Sequence, residues 1–563
     1  MKKLILAMLL MLSLVLTMAA CDDGNGNDDS TTTSGTEEET TTGAQLNAEP
    51  VTIEPAEGLN EIKDNQYSGD ETLVNIVISE DIKFIGVEAF SNCPNLESVV
   101  FSSTLKEVNP LAFANCPNLK TVEFKSGGVR YFAGDVFKNS PVETVIMGDD
   151  VVDISDYKLY GIPTLKYLTL GSQVTTIEAN AFKGCFALES LTLPEGITTI
   201  KASAFSGCTA LKEINFPASL TSIATNAFFG CTALESVSVP ASVSELSSAV
   251  FQGCISLKTV ELSSGLTAIG ASAFEGCTAL TEITVPSTVT KVGEDAFRNC
   301  TSLKKVTMSG ITAIPAGLFE NCTSLTTVTG LDAVKTVGNY AFRFCPIASF
   351  SFGSSLTSIG EAAFQGTPIT EINFSTTRLT ALAPYAFKDC GALKTVQLPV
   401  TLQTINMYAF YGTALESFAA PANVTKLETF AFAYCKNLES VDLSAATRLL
   451  GLGARAFAEC ENLETVNMGS ITHLGEYAFI RCYSLTSIDL SKVVNIANDS
   501  FHCCTSLKSV KLGTNLTGIE DSAFFGCSAL TDITYAGTQE QWNKIVIGVL
   551  NSALVKANKT MAQ

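Results

Sequence analysis

Histidine and tryptophan are almost missing from this chain. His473 and His502 are the two histidines among 563 residues, and Trp542 is the one tryptophan. Histidine supplies most acid–base catalysts at neutral pH and is the commonest metal ligand, so either chemistry has little to work with. Cations are scarce too: 35 Lys and Arg stand against 56 Asp and Glu, a formal net charge of −21. Such a chain repels phosphate polymers and anionic lipid surfaces, which removes nucleic acid from the expected partners. Long apolar runs are also lacking. The longest, Leu4 to Leu16, is broken by Ser13 and falls short of the ~20 residues a membrane-spanning helix needs. There is no G-x-S-x-G elbow, no H-E-x-x-H pair and no glycine loop for phosphate. With the carboxylates read as an acidic surface, no enzyme is expected, and no cofactor or metal.

What the sequence does have is hydrophobicity and a period. Hydrophobic residues make up 46% of the chain and charged ones 16%, with mean hydropathy +0.28. From Glu71 onward one pattern returns every 22 to 25 residues. Its anchor is a phenylalanine, recurring from Phe90 through Phe205, Phe228 and Phe251 to Phe524, with Leu159 in the one place where a step is skipped, giving 20 anchors. Three residues beyond most anchors stands a cysteine, and three beyond that a leucine. Leu188, Leu191 and Leu193 illustrate the L-x-x-L-x-L that follows, as do Leu211, Ile214 and Phe216. The alternation predicts a short strand. Pro194, Pro217, Pro240 and Pro286 close such strands, where a missing N–H does little harm. A second apolar pair, such as Leu220 and Ile223, leads back to the next anchor through a tight helical turn or bend. After Phe137, Phe342, Phe364 and Phe410 the anchor-to-leucine spacing is one residue shorter; small irregularities are expected there, without breaks in the stack.

A single 23-residue unit cannot bury its apolar side, whereas stacked units can. The pattern resembles leucine-rich repeats, and the form with Phe and Cys anchors resembles the BspA-like bacterial surface proteins, over residues 71 to 535. The resemblance implies an α/β leucine-rich-repeat solenoid of about 20 repeats, with a curved parallel sheet on the concave side and short helical turns and loops on the other. Twenty-one parallel strands are expected, from the one at Leu73 to the one at Leu530, within a solenoid of residues 57–535 whose N-terminal end is capped by Ala48 to Asp70. Residues 536–563 break the period. Gln539 to Ile547 reads as a short helix, with Trp542 closing the last layer, and the stretch from Tyr535 to Trp542 resembles the ends of similar bacterial repeat proteins.

The front of the chain reads as an export signal. Lys2 and Lys3 precede the apolar run, and Met18-Ala19-Ala20-Cys21 follows it. This resembles a lipoprotein signal peptide of residues 1–20, which implies lipidation of Cys21. Met18 departs from the usual leucine. Residues 21–56 are acidic and rich in Ser, Thr and Gly, with almost nothing to bury, and are expected to be a disordered tether. The expected location is a lipid-anchored one at the cell surface or outer membrane; an inner-membrane, periplasmic placement stays open.

Of the 18 cysteines, all but Cys21 and Cys503 occupy the anchor-plus-three position. In an exported protein that invites disulfides, yet Ser140 and Thr367 take the same place, which points to a small buried side chain. A ladder of buried free thiols is expected, with disulfides between stacked neighbours as the alternative. Cys503 beside His502 reads as a surface variant. Outward positions of the strands form the candidate binding face: Tyr167, Glu189, Thr192, Lys212, Glu213, Asn215, Lys258 and Glu261. The set is polar, with Tyr167 its main aromatic. The family resemblance implies adhesion to host matrix proteins or other cells by a monomer. Glycan capture and a passive coat or spacer are the alternatives.

Overall fold

The computed structural model describes residues 49–126, 131–133, 135–151, 159 and 162–562. The leader, Cys21 and nearly all of the expected tether lie outside the described residues.

Two parallel ladders run along the body. In the front ladder, three- and four-residue strands of successive turns pair in parallel, as when Ser190, Leu191 and Thr192 face Glu213, Ile214 and Asn215. Ten strands are joined without interruption from Val51–Ile53 to Thr259–Leu262. The inward residues alternate with outward ones: Leu191, Ile214 and Val237 are buried while Thr192 and Asn215 are exposed. The fold is therefore the leucine-rich-repeat solenoid expected. Of the 21 expected front strands one is absent, at residues 348–352.

The other side differs in detail from the helical turns anticipated there. A second ladder of two-residue strands runs along it, with Thr199 and Ile200 pairing with Ser222 and Ile223. Among the described residues, helix is confined to Gln539–Trp542 and Ser552–Lys556 at the C-terminal end. The reason lies beside each anchor. The residues two before and two after it can both adopt positive φ, as at Ser203 (56°) and Gly207 (78°) around Phe205. A right-handed helix cannot run through left-handed residues, so the chain turns sharply instead. Glycine suits the second position, but the first holds side chains as large as Leu111, Tyr340 and Arg455.

The anchors form one column. Consecutive rings stack nearly parallel, for example Phe182 on Phe205 at 5.4 Å and Phe274 on Phe297 at 5.4 Å and 2°. The column is unbroken from Phe182 to Phe524, with centroids 5.2 to 5.8 Å apart. Each of these rings lies inside the solenoid, where burying a phenylalanine contributes roughly 1.5–3 kcal/mol.

Both ends extend the repeat further than the sequence suggests. Val51–Ile53, within the stretch expected as tether, pairs with Ile76–Ile78, because Ile53 can bury its side chain there. The expected N-terminal cap is thus itself a turn, and Tyr67 acts as its anchor, stacked on Phe90 at 5.1 Å and 6°. At the other end the helix stops at Trp542, short of Ile547, because Val546 and Ile547 join the second ladder beside Gly518 and Ile519. Trp542 is buried edge-on against Tyr535 at 5.5 Å, and Lys559 places its Nζ 5.9 Å from the centre of the indole.

The last turn needs a substitute for the neighbour it lacks. In interior turns the anchor N–H donates to the following turn, as Phe501 does to Ala523 O at 2.8 Å. After the last anchor the Asn551 side chain takes over: its Oδ1 accepts from Phe524 N at 3.0 Å, and its Nδ2 donates to Glu520 O at 2.8 Å. Asn551 is buried, so its amide closes the stack where a buried donor would otherwise be unpaired.

The short-spaced repeats behave unequally. The anchor column passes through those that follow Phe342, Phe364 and Phe410. The stack therefore holds through these turns, as expected, while the front ladder loses one strand beside it. Between Thr327–Thr329 and Glu371–Asn373 the chain at 348–352 forms no strand. Its inward positions hold Phe350 and Phe352, where an earlier strand holds Val306 and Met308. Phe350 stacks on Phe364 at 4.5 Å and meets Phe352 edge-on at 4.9 Å. Aromatic packing accompanies a thinned ladder at this turn, where Thr370 N still donates to Ala348 O at 3.3 Å.

Candidate binding surfaces

The cysteines occupy the most regular polar position in the molecule. Cys208 Sγ donates to Phe182 O at 3.2 Å, Cys254 to Phe228 O at 3.3 Å, and Cys527 to Phe501 O at 3.1 Å. Every anchor-plus-three cysteine makes this bond to the anchor carbonyl of the preceding turn. The position therefore asks for a donor as well as a small size. Ser140 meets both demands, with Oγ 2.7 Å from Phe113 O. Thr367 and Thr413 bond instead to their own anchors, Phe364 O and Phe410 O, at 2.8 and 2.9 Å.

All the described cysteines are free thiols. Burial pushes Cys254, Cys300, Cys345 and Cys390 up to about 12, and Cys435 up to about 11. Thiolate is the reactive form of cysteine, so these groups are inert at neutral pH. Cys503 alone among the described cysteines is partly exposed. Its neighbour His502 turns to Asp499, Nδ1 to Oδ1 at 2.7 Å, and to the Phe525 ring. Among the described residues, no group of three or more His, Cys, Asp and Glu could hold a metal, and no helix is long and apolar enough to cross a membrane.

The structure places Tyr167, Glu189, Thr192, Lys212, Glu213, Asn215, Lys258 and Glu261 on neighbouring strands of the front ladder or at the entry to them, all exposed. Tyr167 stands beside Ser190, which stands beside Glu213; Thr192 stands beside Asn215. At the entry to these strands lies a column of alternating sign: Glu97, Lys120, Glu143, Lys166, Glu189, Lys212, Glu235 and Lys258. From Lys120 onward, each backbone N–H in it donates to the carbonyl of the residue before it in the column. Lys166 pairs with Glu143 at 3.1 Å, Lys212 with Glu189 at 3.5 Å and Lys258 with Glu235 at 2.9 Å. An exposed pair of this kind contributes ~0.2–1 kcal/mol, but together they leave this edge electrically neutral.

A second surface is not evident from the sequence. At the position two before the anchor, Tyr385, Tyr408, Phe430, Arg455 and Tyr477 come from five successive turns. Tyr385 stacks on Tyr408 at 5.0 Å and Tyr408 on Phe430 at 4.7 Å, both with rings inclined by 10°. The Arg455 guanidinium lies 5.3 Å from the Phe430 ring and 4.3 Å from the Tyr477 ring. Beside this column, Lys388 lies over Tyr411 and Tyr411 packs on Tyr434, at 5.1 and 5.0 Å. Arg343 lies over Phe344 at 4.7 Å and over Tyr340 at 5.5 Å. It also binds Glu320 at 3.3 Å, a buried carboxylate that Arg298 meets at 3.2 Å. Burial raises the Tyr411 hydroxyl, and the charge of Asp499 raises that of Tyr477. The signal is present in the sequence, but only after the copies are aligned on their anchors, because these residues stand 22 to 25 apart.

The model of the BspA type Leucine rich repeat region matches in six copies, at residues 47–166, 131–258, 175–304, 244–368, 312–439 and 437–546. A leucine-rich repeat protein from Bacteroides ovatus, of solved structure, is 26% identical with a TM-score of 0.52, and the match covers 66% of this chain and 92% of that one. A leucine rich cell surface protein from Faecalibacterium prausnitzii is 27% identical with a TM-score of 0.38, covering 66% and 93%. No protein of curated function matches the chain.

Proposed function

Since the chain belongs to the BspA-type leucine-rich-repeat family, we propose that it is a non-enzymatic binding protein of the cell exterior, held by a lipid on Cys21 and acting as an adhesin toward host matrix proteins or other cells. The observation that carries this reading is the repeated outward surface, in which each turn offers the same row of positions to a partner. Many weak contacts made together, by many copies on one cell, give avidity without a deep pocket. The leader and the acidic segment after Cys21 support an exported, tethered protein.

The test has two arms. Protease treatment of intact cells reports whether the chain is accessible from outside. The purified protein is then screened against immobilised matrix proteins and against a glycan panel. Saturable binding to a matrix protein supports the reading. Binding to glycans alone replaces it with glycan capture, and binding to neither leaves a coat or spacer.

A further inference from the structure

The front ladder is polar and its edge charges are paired. Tyrosine and arginine gather elsewhere. Of 13 tyrosines, Tyr340, Tyr385, Tyr408, Tyr411, Tyr434, Tyr477 and Tyr483 fall within about a quarter of the chain. These two residue types dominate the hot spots of protein interfaces. Here they rise from the anchor turns of six of seven consecutive repeats, the Phe364 turn excepted, and from Tyr340 to Tyr477, at ~4.8 Å per turn, extend roughly 29 Å along one flank. That length suits a standard interface of about 800 Å² per partner.

The charges on this flank narrow the partner. Arg343 is paired with Glu320, Lys388 with Asp389, and Arg481 with Glu459. Arg455 touches rings and, among the described residues, no carboxylate forms an ion pair with it. Its guanidinium is held between Phe430 and Tyr477, so its orientation is fixed before anything binds. A planar fork so placed matches a carboxylate. Tyr385, Tyr408 and Phe430 cover one another's faces, and ring edges carry partial positive charge that favours a carboxylate. A polyanion would meet a chain of net charge −21.

We propose that the flank from Tyr340 to Tyr483 is a protein-docking surface centred on Arg455, and that its partner presents an Asp or Glu carboxylate set among apolar side chains. This rests on the reading of the chain as a binding protein and names the surface and the partner's chemistry.

The test is a displayed random dodecapeptide library selected on the purified protein, with selected peptides then titrated against variants. Peptides carrying Asp or Glu beside apolar residues are expected, with affinity falling by roughly tenfold or more on Arg455→Gln, on Arg455→Lys and on Tyr434→Ala. Glu540→Ala and Lys544→Ala, exposed beyond the last turn and on neither surface, should leave it unchanged. Hydrogen exchange of residues 430–480 establishes that each variant keeps the native flank. Selection of no peptide, of peptides without an acid, or of peptides that bind Arg455→Gln as well as the parent overturns the proposal. So does saturable binding of an acidic glycan on this flank in their place. The two readings fail separately: matrix binding that survives Arg455→Gln and Tyr434→Ala sinks the flank alone, whereas acidic peptides bound without any matrix protein sink the matrix adhesin alone.

Discussion

From Thr176 to Leu262 successive turns repeat one another closely; from Tyr340 to Tyr483 they do not. The first stretch has both ladders continuous and a cysteine in every turn. The second loses its front strand at 348–352, replaces cysteine with Thr367 and Thr413, and carries the stacked aromatic flank. Yet the anchor column runs through both at nearly the same spacing. The interior ring stack therefore holds the fold, and the ladders can vary around it. Variation is tolerated where the surface becomes distinctive.

The largest expected difference between the two stretches is in alkali. A thiol in the unfolded chain ionises near its ordinary value of 9.0, whereas burial pushes Cys254 up to about 12 in the fold. Below pH 9 both states are neutral. Between pH 9 and 12 only the unfolded chain releases the proton, so stability falls by ~1.4 kcal/mol per pH unit for each such thiol. The regular stretch, with a thiol in each turn, should lose hydrogen-exchange protection at lower pH than the turns of Thr367 and Thr413. Simultaneous loss in both would remove the thiols as the cause.

Next in size is Phe251→Ala, expected to cost about 3–5 kcal/mol. Because repeats couple to their nearest neighbours, exchange should rise in the adjoining turns and stay low around Phe457. Uniform loss along the chain would contradict the column as a row of local contacts. Cys254→Ala should cost about 0.5–1.5 kcal/mol, because Phe228 O loses one of two donors and keeps Cys231 N at 3.2 Å, whereas Cys254→Ser should cost less, as Ser140 already serves. Equal costs in denaturant titrations would reduce the position to one of size. The smallest effect is Lys212→Glu, which places like charges beside Glu189 and Glu235; a loss of ~0.2–1 kcal/mol that fades in high salt is expected.

The period, the anchors and the front strands are legible in the sequence because each repeats a side-chain type at a fixed place. The second ladder is not: two residues such as Thr199–Ile200 are too short for alternation to register. Nor are the left-handed turns, since Leu111 or Tyr340 gives no hint of positive φ where glycine would. Tyr67 escapes notice as an anchor because it lacks the Phe signature, and the aromatic flank because Tyr408 and Phe430 become neighbours only through stacking. The candidate face around Glu213 follows from alternation alone, which reports exposure and not affinity.

The thiol-to-carbonyl bond has a consequence for how such a chain can change length. Donor and acceptor always belong to adjacent copies, as Cys277 does to Phe251. A duplication or deletion of one whole copy adds or removes one donor and one acceptor together. For a copy that carries cysteine at this place the new junction has the same bond as its neighbours, unlike copies with Thr367 or Thr413, and Asn551, which serves the final turn, must stay where it is. Gene segments of one repeat unit are thus interchangeable parts, and the reach of the protein can be set by recombination without redesigning its interior.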